Sequence, residues 1–389
     1  MTIVPVEAPI TEYLHNKAAR LRIPLNGTFE LTPVCNMNCK MCYVRMSARE
    51  QAAIRPLRTA AEWLDLGREA REQGLLYLLL TGGEPFLRPD LQEILSGLHR
   101  QGLIISINSN ATLIGRETVG WLREMPPVRI NVTLYGASNE TYARLCGNPD
   151  GFDQAVEGIR LLREAGIAVK LNCSVTPWNK DDLPAIFRFA EEQRLIVQAT
   201  SYMFPPLRRD AAQVGKNQRF SPEEAAYYAA KIEALSNGEE AYLEHMRCQG
   251  AGSLPGDSAE DCMRLTGEEG GRMRCRAGKC SFWVTWDGRL LPCGMLPGDR
   301  APDVFAVGME KAWRQVVAAA DAVRLPAACQ ECALADQCRA CAAMVLTESG
   351  DYRTVPEYRC RMAHSYGTES RRLEQELLNK RQVEVTHEK

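Results

Sequence analysis

Strand-like and helix-like stretches alternate from residue 27 to about 205, and the alternation predicts an α/β fold with a parallel sheet. Six strands recur at intervals of roughly 30 residues, the length of a βα unit, which describes an incomplete barrel. Beyond Cys275 cysteines become dense up to Cys360, which adds a small metal-stapled domain at the C-terminal end.

The elements follow in order. "GTFELTP" is the first strand and leads into the first cysteines; "AAEWLDLGREAREQG" has helical periodicity and "LLYLLLTGG" reads as a buried strand. Then come "DLQEILSGLHRQG", "LIISINS", "RETVGWLREM", "VRINVTLYG", "FDQAVEGIRLLREAG", "IAVKLNCSVTP", "DDLPAIFRFAEEQ" and "LIVQATSYMF". The chain divides into an extension (1–26), the barrel (27–205), a helical and loop bridge (206–274), the cysteine-rich domain (275–365) and a charged tail (366–389), expected as an exposed helix. In such folds ligands gather at the C-terminal ends of strands, so "CNMNCKMC", "TGGEP", "NSNATL" and "TLYG" are expected to line one face.

Composition narrows the function. Lys and Arg number 47 against 49 Asp and Glu, too balanced for a protein that mainly neutralises a nucleic-acid backbone. The N-terminus lacks a basic segment followed by an apolar one, and no apolar run approaches a membrane span, so a cytoplasmic location is expected. Fifteen cysteines in a reducing compartment point to metal or redox chemistry. The five histidines fall in no ligand spacing, so the donor field is sulfur, suited to zinc or iron–sulfur clusters.

Cys35, Cys39 and Cys42 stand within eight positions with no fourth cysteine nearby. Three thiolates can hold three irons of a four-iron four-sulfur cluster and leave one iron open to an external ligand. "CNMNCKMC" resembles the CxxxCxxC motif of the radical S-adenosylmethionine (SAM) enzymes, whose open iron chelates the methionyl group of SAM. A structural zinc site or buried thiols are the plainer alternatives. The resemblance implies a partial (β/α)6 TIM-like barrel and extends to later motifs. "TGGEP" resembles the GGEP motif: Gly82 and Gly83 would let backbone approach a ligand closely, and Glu84 would meet the methionyl ammonium. "NSNATL" resembles a SAM-contacting segment, with Ser109 and Asn110 as contacts and Ala111 where relatives often have Gly. By the same resemblance Arg144 would pair with the SAM carboxylate, and Met41 would sit near the adenine, with Tyr43 beside it; a solvated arginine and simple packing are the alternatives.

The spacing CxxCx5CxxC of Cys329, Cys332, Cys338 and Cys341 is the strongest pattern in the chain. With Cys275, Cys280, Cys293 and Cys360 it makes eight cysteines, two sets of four. This resembles the SPASM extension of radical SAM maturases, which binds two auxiliary four-iron four-sulfur clusters. The resemblance implies Cys275, Cys280, Cys293 and Cys341 for one cluster and Cys329, Cys332, Cys338 and Cys360 for the other, Cys280 being the least secure; a zinc ribbon is the alternative. Cys146, Cys173, Cys248 and Cys262 remain, Cys173 as a buried small hydrophobe within a strand.

The resemblance implies reductive cleavage of SAM to a 5′-deoxyadenosyl radical that oxidises a peptide or protein side chain, as in ribosomal peptide maturation through thioether or C–C crosslinks. Dehydrogenation of a small molecule such as an amino sugar is the second enzymatic expectation, and a zinc-stabilised binding module the non-catalytic one. Sulfatase maturases place Asp after the cysteine corresponding to Cys293; Gly294 follows here, which disfavours formylglycine formation. Expected partners are the substrate peptide or protein, an electron donor such as flavodoxin or ferredoxin, and a separate leader-recognition protein, because the first 26 residues are too few for such a domain.

Overall fold

The computed structural model describes residues 9–205, 219–249, 271–330 and 332–387. Cys262 and its neighbours in the sequence lie outside the described residues. A helix not expected from the sequence, α1 (Pro9–Leu21), precedes β1 (Asn26–Glu30). There follow α2 (Ala48–Ile54), α3 (Ala60–Glu72), β2 (Tyr77–Thr81), α4 (Leu91–Arg100), β3 (Ile104–Ser109), α5 (Arg116–Glu124) and β4 (Arg129–Thr133). Next are α6 (Asn139–Cys146), α7 (Gly151–Glu164), β5 (Val169–Ser174), α8 (Leu183–Glu192) and β6 (Ile196–Thr200). Helix starts are set locally: Ser47 with Glu50 and Thr59 with Glu62 form reciprocal capping boxes at α2 and α3. Gly147, at φ 67°, ends α6 in the left-handed conformation that glycine adopts without strain.

The six strands pair in parallel and in chain order, the partial barrel expected from the alternation. Along β2 to β5 one face is apolar and buried against the helices: Leu78 and Leu80, Ile105 and Ile107, Ile130 and Val132, Leu171 and Cys173. The opposite face, lining the lumen, carries Thr28, Glu30, Ser106, Asn108, Asn131, Lys170 and Asn172. Cys173 is thus a core side chain, 2% exposed.

Two further strands, β7 (Ser281–Val284) and β8 (Leu290–Leu291), extend the sheet beyond β1, so the cysteine-rich segment is welded to the barrel edge. β7 runs parallel to β1, with Thr28 opposite Trp283, and β8 turns back antiparallel. The bridge contributes α9 (Pro222–Asn237) and α10 (Glu239–Gln249). After β8 come α11 (Val304–Val307), α12 (Met309–Ala322), α13 (Ala327–Gln330), α14 (Ala335–Cys338), α15 (Ala342–Ser349) and α16 (Glu357–His387).

The expectation of an exposed tail is corrected by α16. Leu373 and Leu377, four residues apart and therefore on one helical face, are buried against Ala230, Ala234, Tyr242 and Leu243 of α9 and α10.

Candidate functional site

The cysteine loop leaves β1 and is pinned from three sides. Its Met37 and Met41 side chains are core residues, 3% and 5% exposed. The Asn38 and Lys40 amides donate to the Cys146 and Leu145 carbonyls at 2.7 and 3.0 Å, capping the open end of α6. The Lys40 ammonium lies 3.3 Å from the centre of the Trp178 ring. The Trp178 carbonyl accepts from Arg144 at 2.8 Å, so Arg144 flanks the loop while remaining exposed.

The second side is the "GGEP" turn. The Gly83 and Glu84 amides donate to the Thr32 and Val34 carbonyls at 2.6 and 2.9 Å. A Cβ on Gly82 would stand 2.3 Å from the Thr32 oxygen, and one on Gly83 2.3 Å from that of Val34. The glycines therefore admit the backbone of the cysteine loop itself. The turn is held by buried Arg88, which donates to the Leu31 carbonyl at 2.8 Å and pairs with Asp90 at 2.6 Å.

The third side is the loop after β3. Glu84, fully buried, accepts from the Ser109 hydroxyl at 2.9 Å, the Asn110 amide at 2.7 Å and the Phe86 amide at 3.1 Å. Burial pushes its carboxyl up to about 7 against the pull of these donors. Three acceptor positions of Glu84 are thus committed to protein, and Ser109 is 5% exposed, so both tie loops together. Asn110 reaches further: its Nδ2 donates to Asn36 Oδ1 at 2.9 Å and to Cys35 Sγ at 3.7 Å. Ala111 holds φ 61°, a left-handed conformation that favours glycine.

Cys35 Sγ also accepts from the Met37 amide at 3.4 Å, and Cys42 Sγ from the Arg45 amide at 3.3 Å. Burial raises the Cys35 thiol to about 12, with Glu84 and the other two thiols adding to the effect. Such a thiol keeps its proton until a metal replaces it, while amides aimed at sulfur support the thiolate that results. The donor set fits a cluster ligand. Tyr43, next to Cys42, is half-buried. Tyr135, just beyond β4, belongs to the site as well: burial and nearby Cys39 and Cys42 push its phenol well above the ordinary range. Its only signal in the sequence was its position in "TLYG".

In the C-terminal segment Cys275, Cys329, Cys332, Cys338, Cys341 and Cys360 line one cavity of about 200 Å³. Cys329 and Cys360 are both within electrostatic reach of Cys332 and Cys338, and Cys275 of Cys341. The charged lining is basic, with Arg272, Arg274 and Arg339, which suits anionic thiolate clusters. Cys280 is buried beside Ala18, Ala19 and Leu25, and Cys293 beside Met273, Ala277 and Ala320, outside that lining. Exposed Cys248 stands in α10. Gly294 packs against the Trp283 indole, where a Cβ would approach to 2.6 Å, so a side chain at this position has no room. Among the described residues no three His, Cys, Asp or Glu side chains converge closely enough to hold a single metal ion.

Glu348 joins the two halves. Its carboxylate, 3% exposed, accepts from Tyr202 beyond β6 at 2.5 Å and from the Arg359 amide at 3.1 Å, while the Arg359 guanidinium donates to the Cys338 carbonyl at 2.8 Å.

Residues 29–190 match the model of the Radical SAM superfamily. The chain carries a radical SAM domain. Radical SAM proteins are enzymes, and the domain implies SAM and a four-iron four-sulfur cluster as cofactors. An AdoMet-dependent heme synthase of Methanosarcina barkeri is 27% identical over 342 residues, 85% of this chain and 94% of its own length. A probable GTP 3′,8-cyclase of Saccharolobus islandicus is 33% identical over 163 residues, 41% of this chain and half of its own length. Among solved structures, Streptococcus suis SuiB bound to S-adenosylmethionine aligns with a TM-score of 0.61 at 18% identity, over 86% of this chain and 77% of its own. Tagged anSMEcpe with bound AdoMet aligns at 0.64 and 14%, over 92% and 96%. These structures share the fold. Among the described residues no helix is long and apolar enough to cross a membrane.

Proposed function

We propose that this radical SAM protein cleaves SAM reductively and uses the resulting 5′-deoxyadenosyl radical to oxidise a side chain of a peptide or protein. The observation that carries the reading is the loop of Cys35, Cys39 and Cys42, fixed at the C-terminal end of β1 with amides aimed at its sulfurs. When bound, a four-iron cluster on these thiolates supplies an electron and an open iron for the methionyl group. The chain's own part is orientation: Glu84 fixes the Asn110 loop, Asn110 reaches Cys35, and the packed methionines beneath the loop exclude water. The cysteine-lined C-terminal cavity supports two auxiliary clusters in a SPASM-type domain, which would take the electron released by the oxidised substrate. A flavodoxin or ferredoxin is the proposed reductant, and a separate leader-recognition protein the proposed partner for peptide delivery.

A second reading has a specific support: similarity to a heme synthase over 94% of that protein's length favours the side chain of a tetrapyrrole as substrate. Both readings share the radical step. The test is anaerobic reconstitution with iron and sulfide, reduction with dithionite and detection of 5′-deoxyadenosine by mass spectrometry. Replacing Cys35, Cys39 and Cys42 together by Ala is expected to abolish the product while about eight irons remain in the two auxiliary clusters. SAM cleavage retained in that variant, or zinc in place of iron and sulfide, overturns the proposal.

A further inference from the structure

Two cations meet on the lumen face of β4 and β5. β4 and β5 pair with Asn131 opposite Lys170, so Arg129, two residues before Asn131, is the diagonal neighbour of Lys170 on one face. That face is the lumen, because the intervening Ile130, Val132, Leu171 and Cys173 are buried against the helices. Among the described residues neither cation pairs with Asp or Glu: Arg129 donates to Asn131 Oδ1 at 2.9 Å and Lys170 to Gln198 Oε1. Asn131 in turn donates to Asn108 Oδ1 at 2.9 Å, which stiffens the row. One step further along β5, Asn172 Oδ1 is buried and lacks a hydrogen-bond partner among the described residues, a second polar position on the same face. Glu30, on the lumen face of β1, accepts from Trp283 at 3.0 Å.

Like charges on adjacent strands repel, and burial together with the Arg129 guanidinium pushes the Lys170 ammonium below its ordinary value. An anion between them relieves both costs. Arg129 is exposed at the N-terminal end of β4 and Lys170 is half-buried one position into β5, at the end of the lumen opposite the thiols, since Tyr135, beyond the other end of β4, is within electrostatic reach of Cys39 and Cys42.

We propose that Arg129 and Lys170 form a docking site for a carboxylate on a short alkyl arm of the substrate. This rests on the radical reading above and narrows its substrate class. An acidic peptide side chain and a tetrapyrrole propionate both present that group, and the test separates them. The anaerobically reconstituted full chain is titrated with coproporphyrin III and with its tetramethyl ester, followed by absorbance, and with a labelled Gly-Glu-Gly-Glu-Gly peptide and its Gln counterpart, followed by anisotropy. At least one acid is expected to bind more tightly than its neutral partner, by about 10-fold. Lys170→Gln should remove that preference and Lys170→Arg should keep it, with circular dichroism confirming that both variants fold. Equal binding of acid and neutral probes in both pairs, or an acid preference that survives Lys170→Gln combined with Arg129→Gln, overturns the site. Formation of 5′-deoxyadenosine by the wild-type protein is measured separately; its failure removes the radical reading and leaves the binding comparison to decide the anion site.

Discussion

Substituting Gly83 by Ala tests the idea that the "GGEP" turn exists to hold the cysteine loop. The added Cβ would stand 2.3 Å from the Val34 oxygen, 2.6 Å from the Val34 carbon and 2.6 Å from the Pro33 oxygen. All three are backbone atoms, so no side chain can rotate away, and the two segments must separate by on the order of 1 Å to restore ordinary contact. Overpacking of this kind costs about 1–3 kcal/mol. The same separation strains the Gly83–Thr32 and Glu84–Val34 hydrogen bonds, each contributing about 1 kcal/mol. The expected loss is therefore about 3–5 kcal/mol. Because Val34 directly precedes Cys35, the shift falls on the first of the three thiols proposed to hold the cluster. Urea midpoints report the stability, and iron per chain after reconstitution reports the ligand set. Gly120→Ala is the control: its Cβ meets nothing within 4 Å in α5, and about 1 kcal/mol of stabilisation is expected. A Gly83→Ala protein with the midpoint and iron content of the wild type would refute the reasoning.

The Glu84 carboxyl, raised to about 7, keeps a proton in the folded chain that the unfolded chain releases near its ordinary value. Its contribution thus falls as pH rises from about 5 to 7, by up to about 3 kcal/mol, and urea midpoints at pH 5, 6 and 7 should slope downward more steeply in the wild type than in Glu84→Gln. Parallel slopes in the two proteins would count against a buried, titrating carboxyl. Ala111→Gly trades a left-handed strain of about 1 kcal/mol against a buried methyl of about 0.8 kcal/mol and should leave the thermal midpoint nearly unmoved. Gly158→Ala, whose Cβ would sit 2.2 Å from the Ala111 oxygen, should cost about 1–3 kcal/mol in the same assay. Leu373→Ala should destabilise by about 2–5 kcal/mol if α16 is packed on α9; a change near zero in the urea midpoint would restore the exposed tail.

The sequence by itself determined the barrel strands and the position of the thiols. Alternation at the βα period fixed six strands, because buried strands and amphipathic helices each carry their own periodicity. Cys35, Cys39 and Cys42 stood out because thiols proposed to serve one cluster recur at short intervals along one loop. Only the tertiary structure decided what Glu84 and the glycines touch: their partners, Ser109 and Thr32, lie far off in the chain or on another strand, and no local pattern encodes a contact across loops. The same holds for β7, which completes a sheet begun some 250 residues earlier through backbone hydrogen bonds that any residue can make. It holds too for Leu373 and Leu377, whose burial depends on α9 lying opposite, and for Arg129 and Lys170, which nothing in the sequence links until β4 and β5 pair in the register that makes them diagonal neighbours.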